Sequence, residues 1–241
     1  MREDIVRVLN GRRFTVFFSG GRDSLAALLW VIDNVPDVRG MRIIYAEVTG
    51  NTHPDCTAYV RDVVERLDLT EHFVLVKRDD ISFWDFMRKV GPPVFGPARW
   101  CLNEFKRKAW RAFVHGPIAV LGIRAGESAT RARYKNFHRT FDGQFTLMPI
   151  FSWTKDQVLS YIKEHGLCLN PCYARYGHSG NCMWCLYYSR WQIIRTLADP
   201  VWGPKIEHEL SRAPVRGPVQ ARIRNYWLRL AGQTLLEVAT A

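Results

Sequence analysis

A run of β-branched and aromatic residues, FTVFF at residues 14–18, stops at Ser19, Gly20 and Gly21, and residues 22–34 then follow a helical pattern. Glycines at a strand-to-helix junction permit positive φ angles and remove side chains, so a phosphate can approach the backbone N–H groups directly. The first turn of the following helix adds partial positive charge. We therefore expect a phosphate-binding loop at the end of a buried strand. An ordinary tight turn with a helix cap is the alternative.

The polar residues of this loop are suited to the same task. The hydroxyls of Ser19 and Ser24 can donate hydrogen bonds to phosphate oxygens, and Arg22 can add positive charge. Asp23 either caps the helix or holds Mg²⁺ through water. The loop is neither of the two common phosphate loops, because the Gly-x-x-x-x-Gly-Lys-Ser/Thr and Gly-x-Gly-x-x-Gly patterns are missing.

The first half of the chain alternates short β-branched runs with helical patterns, which is typical of a parallel sheet covered on both faces. The expected strands are residues 13–18, 42–48, 73–77 and 118–123, and the expected helices are residues 22–34, 54–68, 82–90 and 101–113. We expect an α/β fold with a doubly wound, mostly parallel sheet, Rossmann-like in architecture. Residues 1–150 would form the nucleotide-binding domain.

After residue 150 the pattern changes. A capped helix ending at Gly166 is followed by a loop rich in Cys, Gly and Asn, and by helical patterns at residues 186–198 and 218–238. Residues 151–241 are therefore expected to form a smaller, mainly helical region that contains most of the cysteines.

The net charge of +11 favours polyanionic partners such as RNA, DNA or nucleotides. No apolar run is long enough to span a bilayer, and the N-terminal residues lack the pattern of a secretory signal. We expect a cytoplasmic protein that does not enter a membrane. In that compartment six cysteines are more typical of metal or cluster ligation than of a disulfide framework.

Two further groups of residues follow predicted strands. Thr49 and Gly50 end the second strand, where a turn can meet a ribose or base, and an ordinary turn is equally compatible. The residues after the fourth strand should face the same crevice as the loop, because carboxyl ends of parallel strands share one edge of the sheet. These residues are Gly122, Arg124, Glu127, Ser128 and Arg131. The arginines can grip phosphate or sulfate oxygens in bidentate fashion, unless they belong to a solvated helix start.

Cys182 and Cys185 form a C-x-x-C pair, with Cys172 shortly before them and Cys101 far upstream. Four thiolates satisfy either a tetrahedral Zn²⁺ or a [4Fe–4S] cluster, and the spacing does not choose between them. Cys168 competes with Cys172 for the fourth position. Buried small side chains, or a thiol pair for redox exchange, are the alternatives to ligation.

The segment SGGRDS resembles the pyrophosphate loop of the ATP pyrophosphatase (PP-loop, adenine nucleotide alpha hydrolase-like) superfamily. Four further segments resemble the phosphoadenosine phosphosulfate (PAPS) reductase family in order and spacing over roughly residues 12–190. They are EVTGNTHPDCTAYV at 47–60, WCLNEFKRKAW at 100–110, LGIRAGESATRARY at 121–134 and MPIFSWTKDQVLSYIKEHGLCLNPCY at 148–173.

This resemblance implies a function for several residues. The nucleotide would be ATP or PAPS with Mg²⁺, and the candidate catalytic residues would be Asp23, Lys106, Arg124 and Arg131. Several family members carry cysteines matching Cys101, Cys182 and Cys185, which favours a [4Fe–4S] cluster. Trp100 stands where the reductase pattern has a second cysteine, so Cys172 is the expected fourth ligand.

Two reactions are compatible with the family. The intact loop, and the lack of a cysteine after Cys185, favour ATP cleavage to AMP and pyrophosphate, which would activate a substrate for sulfur transfer to a nucleic acid. Reduction of PAPS or adenylyl sulfate is the second hypothesis, and a nucleotide-binding subunit without turnover is the third. The expected partners are an adenine nucleotide, a tRNA or DNA substrate, a sulfur-donor protein and a second copy of the chain.

Overall fold

The computed structural model describes residues 2–96, 99–134, 137–139 and 143–231. Its segments form two compact units that alternate along the sequence. The first unit comprises the chain up to Tyr45, Thr57–Val76 and Trp110–Asn170, and the second comprises Ala46–Cys56, Lys77–Ala109 and the chain from Pro171 onward. Residues 151–170, which we expected in the helical region, thus lie in the first unit. The division of the chain into separate domains at residue 150 stays a prediction.

The first unit is built on a six-stranded sheet with the order β3-β2-β1-β4-β6-β5. The strands are β1 (Phe14–Phe17), β2 (Met41–Ala46), β3 (Phe73–Val76), β4 (Ile118–Leu121), β5 (Phe137–Arg139) and β6 (Phe145–Leu147). Five strands run parallel, and β5 pairs antiparallel with β6 at one edge. The predicted α/β, Rossmann-like fold is confirmed.

The strand order reverses direction at β1. Strands β2 and β3 follow on one side of it, whereas β4 pairs with it on the other side. Phe14 of β1 is in register with Ile118 of β4, and Phe17 is in register with Leu121, so the two strands end side by side. In open α/β sheets this switch point is where ligands bind.

The helices of the sheet unit follow from local sequence signals. They are α1 (Arg2–Leu9), α2 (Arg22–Asn34), α3 (Pro54–Arg66), α7 (Ala129–Ala132) and α8 (Lys155–Glu164). Helix α2 is buried over residues 24–31, in keeping with its apolar sequence. Helix α8 begins at a capping box, in which Thr154 and Gln157 satisfy each other's backbone N–H groups.

The second unit is mainly helical. Its helices are α4 (Phe83–Val90), α5 (Trp100–Leu102), α6 (Lys108–Trp110), α9 (Cys172–Tyr176), α10 (Arg190–Leu197), α11 (Trp202–Arg212) and α12 (Pro218–Leu230). A π-helical turn, Asn103–Arg107, joins α5 to α6. Its core is aromatic, with Phe83, Trp84, Phe105, Trp184 and Trp227 buried together. None of the helices in the described ranges has both the length and the apolar character that a bilayer span requires.

Most predicted elements are present, with a few differences. Helix α2 has the predicted bounds, whereas the expected helix at 101–113 is broken by the π-helical turn. Strands β5 and β6 and helices α1, α9 and α11 were not predicted. Strands β5 and β6 have three residues each, and α11 has Gly203 and Pro204 in its first turn. The last part of the helix expected at 218–238 lies outside the described residues.

Candidate functional site

The loop between β1 and α2 has the backbone geometry that its glycines predict. Gly20 has φ 72°, in the left-handed region that favours glycine. Gly21 is the N-cap of α2 in extended conformation, and no side chain caps the helix there. Asp23 therefore does not act as the cap. The first N–H groups of α2 keep the partial positive charge that favours an anion.

The two hydroxyls of the loop brace it internally. Ser24 Oγ donates to the carbonyl of Gly21 at 2.8 Å and accepts from the backbone N–H of Ser19 at 3.1 Å. The two serine Oγ atoms are also 3.1 Å apart, at hydrogen-bond distance. The loop is thus held in shape by its own side chains, which lowers the entropy that ligand binding must remove.

Asp23 and Arg124 form a buried ion pair between the loop and the segment after β4. Arg124 Nε donates to Asp23 Oδ1 at 2.6 Å, and the two side chains are only 6% and 14% exposed, respectively. Arg22 Nε lies 3.9 Å from Asp23 Oδ2. The carboxylate is therefore surrounded by positive charge, and the Arg124 guanidinium is engaged by it.

Gly122 brings the end of β4 into contact with the loop. A Cβ atom on Gly122 would lie 2.3 Å from the carbonyl oxygen of Asp23 and 2.5 Å from the Cα of Ser24. Both are backbone atoms that cannot rotate away. Only glycine permits this approach, so Gly122 is a packing residue of the loop.

The other predicted residues after β4 organise their own turn. Glu127 Oε2 accepts from the backbone N–H of Arg124 at 2.9 Å and also binds the Arg131 guanidinium. Ser128 caps the short helix α7 by accepting from the N–H of Arg131 at 3.2 Å. The structure thus brings Gly122 and Arg124 to the loop, whereas Arg131 is engaged by Glu127 on an exposed turn.

Thr49 and Gly50 belong to the second unit and form a turn after β2. Thr49 Oγ1 donates to the carbonyl of Arg78, and Gly50 has φ 81°. The carbonyl of Gly50 accepts from Trp84 Nε1 at 2.6 Å. Both residues are accounted for by this turn, and their role toward a nucleotide stays a prediction.

Three cysteines of the second unit line one cavity of about 120 Å³, which we call the cysteine cavity. They are Cys101, Cys182 and Cys185, and the cavity is also lined by Arg99, Lys106 and Trp184. Burial raises the pKa of Cys101 to about 12, with a further contribution from the Cys182 thiol, and burial raises the pKa of Cys185 to about 11. The thiols of Cys101 and Cys185 are therefore protonated at neutral pH unless a cation displaces their protons.

The lining of the cysteine cavity carries a positive charge. Lys106 Nζ donates to Asn181 Oδ1 at 2.6 Å and lies among the lining residues. Trp184 Nε1 and Arg99 Nε, which belong to two other lining residues, are buried and have no hydrogen-bond partner in the described part of the chain. The ammonium group beside three thiols favours an anionic guest.

Asn51 and Asn181 were missed by the sequence analysis. Asn51 is buried and binds the backbone of Trp184 twice, accepting from its N–H at 2.9 Å and donating to its carbonyl at 3.0 Å. Asn181 Nδ2 donates to the carbonyl of Ala46 at 3.1 Å. These bonds fix the loop that carries Cys182 and Cys185, and no local pattern announces them.

The structure does not place Cys172 with the other three cysteines. It is buried on α9 and is absent from the residues that line the cysteine cavity. Arg175 Nη2 is 4.0 Å from its Sγ, and a Cβ on Gly180 would be 2.7 Å from that sulfur. Cys168 is exposed, and Cys56 is buried. The placement gives no support to Cys172 as the fourth ligand.

The sequence model of the phosphoadenosine phosphosulfate reductase domain matches residues 13–186. The chain belongs to this family. It is 28% identical over 134 residues to an adenosine 5'-phosphosulfate reductase of Staphylococcus haemolyticus, covering 52% of this chain and 53% of that protein. It is 30% identical over 97 residues to a phosphoadenosine 5'-phosphosulfate reductase of Buchnera aphidicola, covering 39% and 33%. The match thus spans about half of the first relative and a third of the second.

A solved member of the family has the same fold. The phosphoadenylyl-sulfate reductase of Candida auris, crystallised with phosphate, aligns with a TM-score of 0.53 at 18% identity, over 72% of this chain and 83% of that one. The predicted resemblance to the PAPS reductase family is therefore confirmed. The family match includes the phosphate loop as well as Cys101, Cys182 and Cys185.

Proposed function

We propose that the protein cleaves ATP to AMP and pyrophosphate, and so activates a nucleic acid for sulfur transfer. The observation that carries this proposal is the loop from Ser19 to Ser24. It combines a left-handed glycine, an uncapped helix N-terminus and internal bracing at the switch point between β1 and β4. This arrangement is suited to the phosphate chain of a nucleotide.

The residues around the loop suit the charge that develops when pyrophosphate leaves. The backbone N–H groups at the start of α2 would bind phosphate oxygens, and Arg22 and Arg124 add positive charge on either side of Asp23. Asp23 is the carboxylate of the loop; Mg²⁺ would share it with Arg124 and take its other ligands from substrate phosphates and water. Bound Mg²⁺ would neutralise part of the negative charge on the phosphates.

The cysteine cavity fits a [4Fe–4S] cluster better than a single Zn²⁺. Within the described ranges, no three His, Cys, Asp or Glu side chains are arranged to hold one metal ion. Yet Cys101, Cys182 and Cys185 line a cavity of about 120 Å³, which is room for several water molecules. Such a space suits a guest of several atoms, whereas a single ion needs thiolates that converge on one point.

The charge of the cavity lining suits the same guest. Lys106 lies among the lining residues, and its ammonium group would offset the negative charge of a thiolate-bound cluster. When bound, such a cluster would supply redox chemistry or a coordination position for sulfur. Three cysteines leave the fourth iron without a protein thiolate, unless another residue binds it.

A nucleic acid acceptor is supported by charge. The net charge of +11 favours a polyanionic substrate. Reduction of an adenylated sulfate is the second candidate, because the matched relatives carry reductase names.

The deciding experiment is anaerobic purification with iron, sulfide and zinc analysis, followed by turnover with ATP or PAPS. We expect iron and sulfide, together with ATP-dependent pyrophosphate release that requires a tRNA or DNA acceptor. Sulfite release from PAPS with ATP inert would establish the reductase instead. Tight ATP binding with no turnover on any acceptor would contradict both reactions.

A further inference from the structure

The second unit contains another cavity, of about 220 Å³, which we call the aromatic groove. Its lining includes Phe95, Leu186, Tyr188, Arg222, Tyr226 and Trp227. Phe95 is 54% exposed, although its ring is entirely apolar. Aromatic side chains that remain exposed beside a cavity are typical of a surface that receives a planar ligand.

The aromatic groove is adjacent to the cysteine cavity. Leu186 lines both cavities, and Trp184 of the cysteine cavity packs against Trp227 of the groove with ring centroids 5.4 Å apart. Phe95 contacts Tyr187, which lines the cysteine cavity, edge-to-face at 5.5 Å. A planar group bound in the groove would therefore lie beside the proposed sulfur site.

The segments around the groove are strongly basic. Residues 186–198 and 212–230, which contain α10 and α12, include seven arginines and no Asp or Glu. Arg222 lines the groove, is exposed and forms no ion pair with the described residues. Arg99 lies over the Tyr187 ring at 4.9 Å from the centroid. The surroundings are thus complementary to a ligand that combines flat rings with phosphates.

We propose that the aromatic groove binds an unpaired base of a single-stranded nucleic acid, with the strand's phosphates against the arginines of α12. The inference rests on the proposed function, in which a nucleic acid is the sulfur acceptor. Bases in a duplex are stacked on their neighbours and inaccessible, whereas an unpaired base can stack on aromatic side chains. The groove would hold the strand while an adjacent position reaches the cysteine cavity.

The test measures binding of fluorescein-labelled single-stranded RNA, single-stranded DNA and duplex DNA by anisotropy, without ATP. We expect the Phe95→Ala and Tyr226→Ala variants to bind single strands about tenfold more weakly, as loss of one stacking contact predicts. The Tyr226→Phe variant keeps the ring and should bind as the unchanged protein does. A 2-aminopurine base in the strand should lose fluorescence on binding, and much less so in the Phe95→Ala variant.

Two controls separate stacking from general effects. Trp191→Ala removes another exposed aromatic residue, which does not line the groove. The Arg195 guanidinium lies 4.5 Å from the centroid of this ring, so Trp191 also has an arginine beside it. Strand affinity should be unchanged in this variant. Arg61→Gln removes one exposed charge from the first unit, whereas Arg222→Gln removes one from the groove. Of these two variants, only Arg222→Gln should lower the affinity for single strands several-fold.

Equal strand affinity in the unchanged protein and in both alanine variants would overturn the proposal, as would equal or tighter binding of duplex. A change of oligomeric state in those variants, with strand binding intact, would assign the groove to a second copy or a protein partner instead. Pyrophosphate release is measured on the same samples. Groove-dependent binding without ATP cleavage would contradict the proposed reaction and leave this inference standing.

Discussion

The phosphate loop of the first unit and the cysteine cavity of the second differ in how far their polar groups are already bonded within the protein. In the loop, Ser24 is bonded to Gly21 and Ser19, and Asp23 is bonded to Arg124. In the cavity, burial raises the pKa values of Cys101 and Cys185, so these two thiols are protonated at neutral pH. The loop is thus held in shape by its own hydrogen bonds, whereas the cavity thiols must lose their protons before they can bind a guest.

Replacement of a cavity cysteine is expected to have the largest effect. Cys101→Ser, Cys182→Ser or Cys185→Ser should each abolish or nearly abolish iron and sulfide loading, because each removes one of the three thiolates proposed to hold the cluster. ATP affinity should be retained, since the loop is braced by its own residues. Iron and sulfide analysis of anaerobically purified protein, with ATP titration by calorimetry, gives both numbers.

Cys172→Ser is the matched control, because that thiol is buried but does not line the cavity. We expect its iron content to equal that of the unchanged protein. Loss of iron in the Cys172→Ser variant with its fold intact by circular dichroism would restore the four-cysteine ligand set.

Gly122→Ala should have the largest effect on the loop. The added Cβ would meet backbone atoms of Asp23 and Ser24 at 2.3 and 2.5 Å, so the loop must shift. Overpacking of this kind costs about 1–3 kcal/mol, and we expect ATP affinity to fall by roughly tenfold to a hundredfold. Gly126→Ala is the control in the same segment, because its Cβ would have no neighbour nearer than 4.0 Å. Similar ATP affinities in the two variants would show that Gly122 does not shape the site.

Asp23→Asn tests the buried ion pair. Asparagine keeps the shape but leaves the Arg124 guanidinium without its counter-charge, which costs about 3 kcal/mol for a well-buried pair. Urea unfolding measures the change in the free energy of unfolding. Asp37→Asn is the control, since Arg39 of that pair is 90% exposed and the pair should contribute little. A small change in the Asp23→Asn variant would mean that the loop does not depend on this pair.

The comparison also shows what the sequence could predict. Helix α2 and the strand before it were predicted closely, because an apolar run, two glycines and a helical period are signals carried by neighbouring residues. The position of the loop at the switch point followed from the alternation of strands and helices. Local patterns thus located the loop between β1 and α2 and grouped Cys182 with Cys185.

The details that decide chemistry were not predictable in this way. Asp23 pairs with a residue 101 positions away, and Asn51 holds Trp184 across 133 positions. The family resemblance made Cys172 the expected fourth ligand, because Trp100 replaces a cysteine of the reductase pattern, yet Cys172 lies near Arg175 and does not line the cavity. Such contacts depend on tertiary packing, for which one sequence carries no local signal.

The smallest effect concerns two histidines whose pKa values shift in opposite directions. In the second unit, burial lowers the pKa of His178 to about 3, and its Nδ1 accepts from the N–H of Gly180. In the first unit, burial opposes protonation of His165, but hydrogen bonds to the carbonyl of Tyr161 and to Asp33 raise its pKa overall. Of these two histidines, only His165 therefore stabilises its unit in the protonated form.

A raised pKa in the folded state adds stability that is fully present below the unfolded pKa of about 6.5 and is lost as the pH rises through the folded value. His165→Gln should therefore destabilise the protein by about 0.2–1 kcal/mol at pH 5.5, the range of partly exposed ion pairs, and by less at pH 8.5. Urea unfolding at both pH values measures this, with His208→Gln as the exposed control. A larger destabilisation at pH 8.5 than at pH 5.5 would mean that neutral His165 contributes through packing. The charge of its imidazolium would then not be the source of the stabilisation.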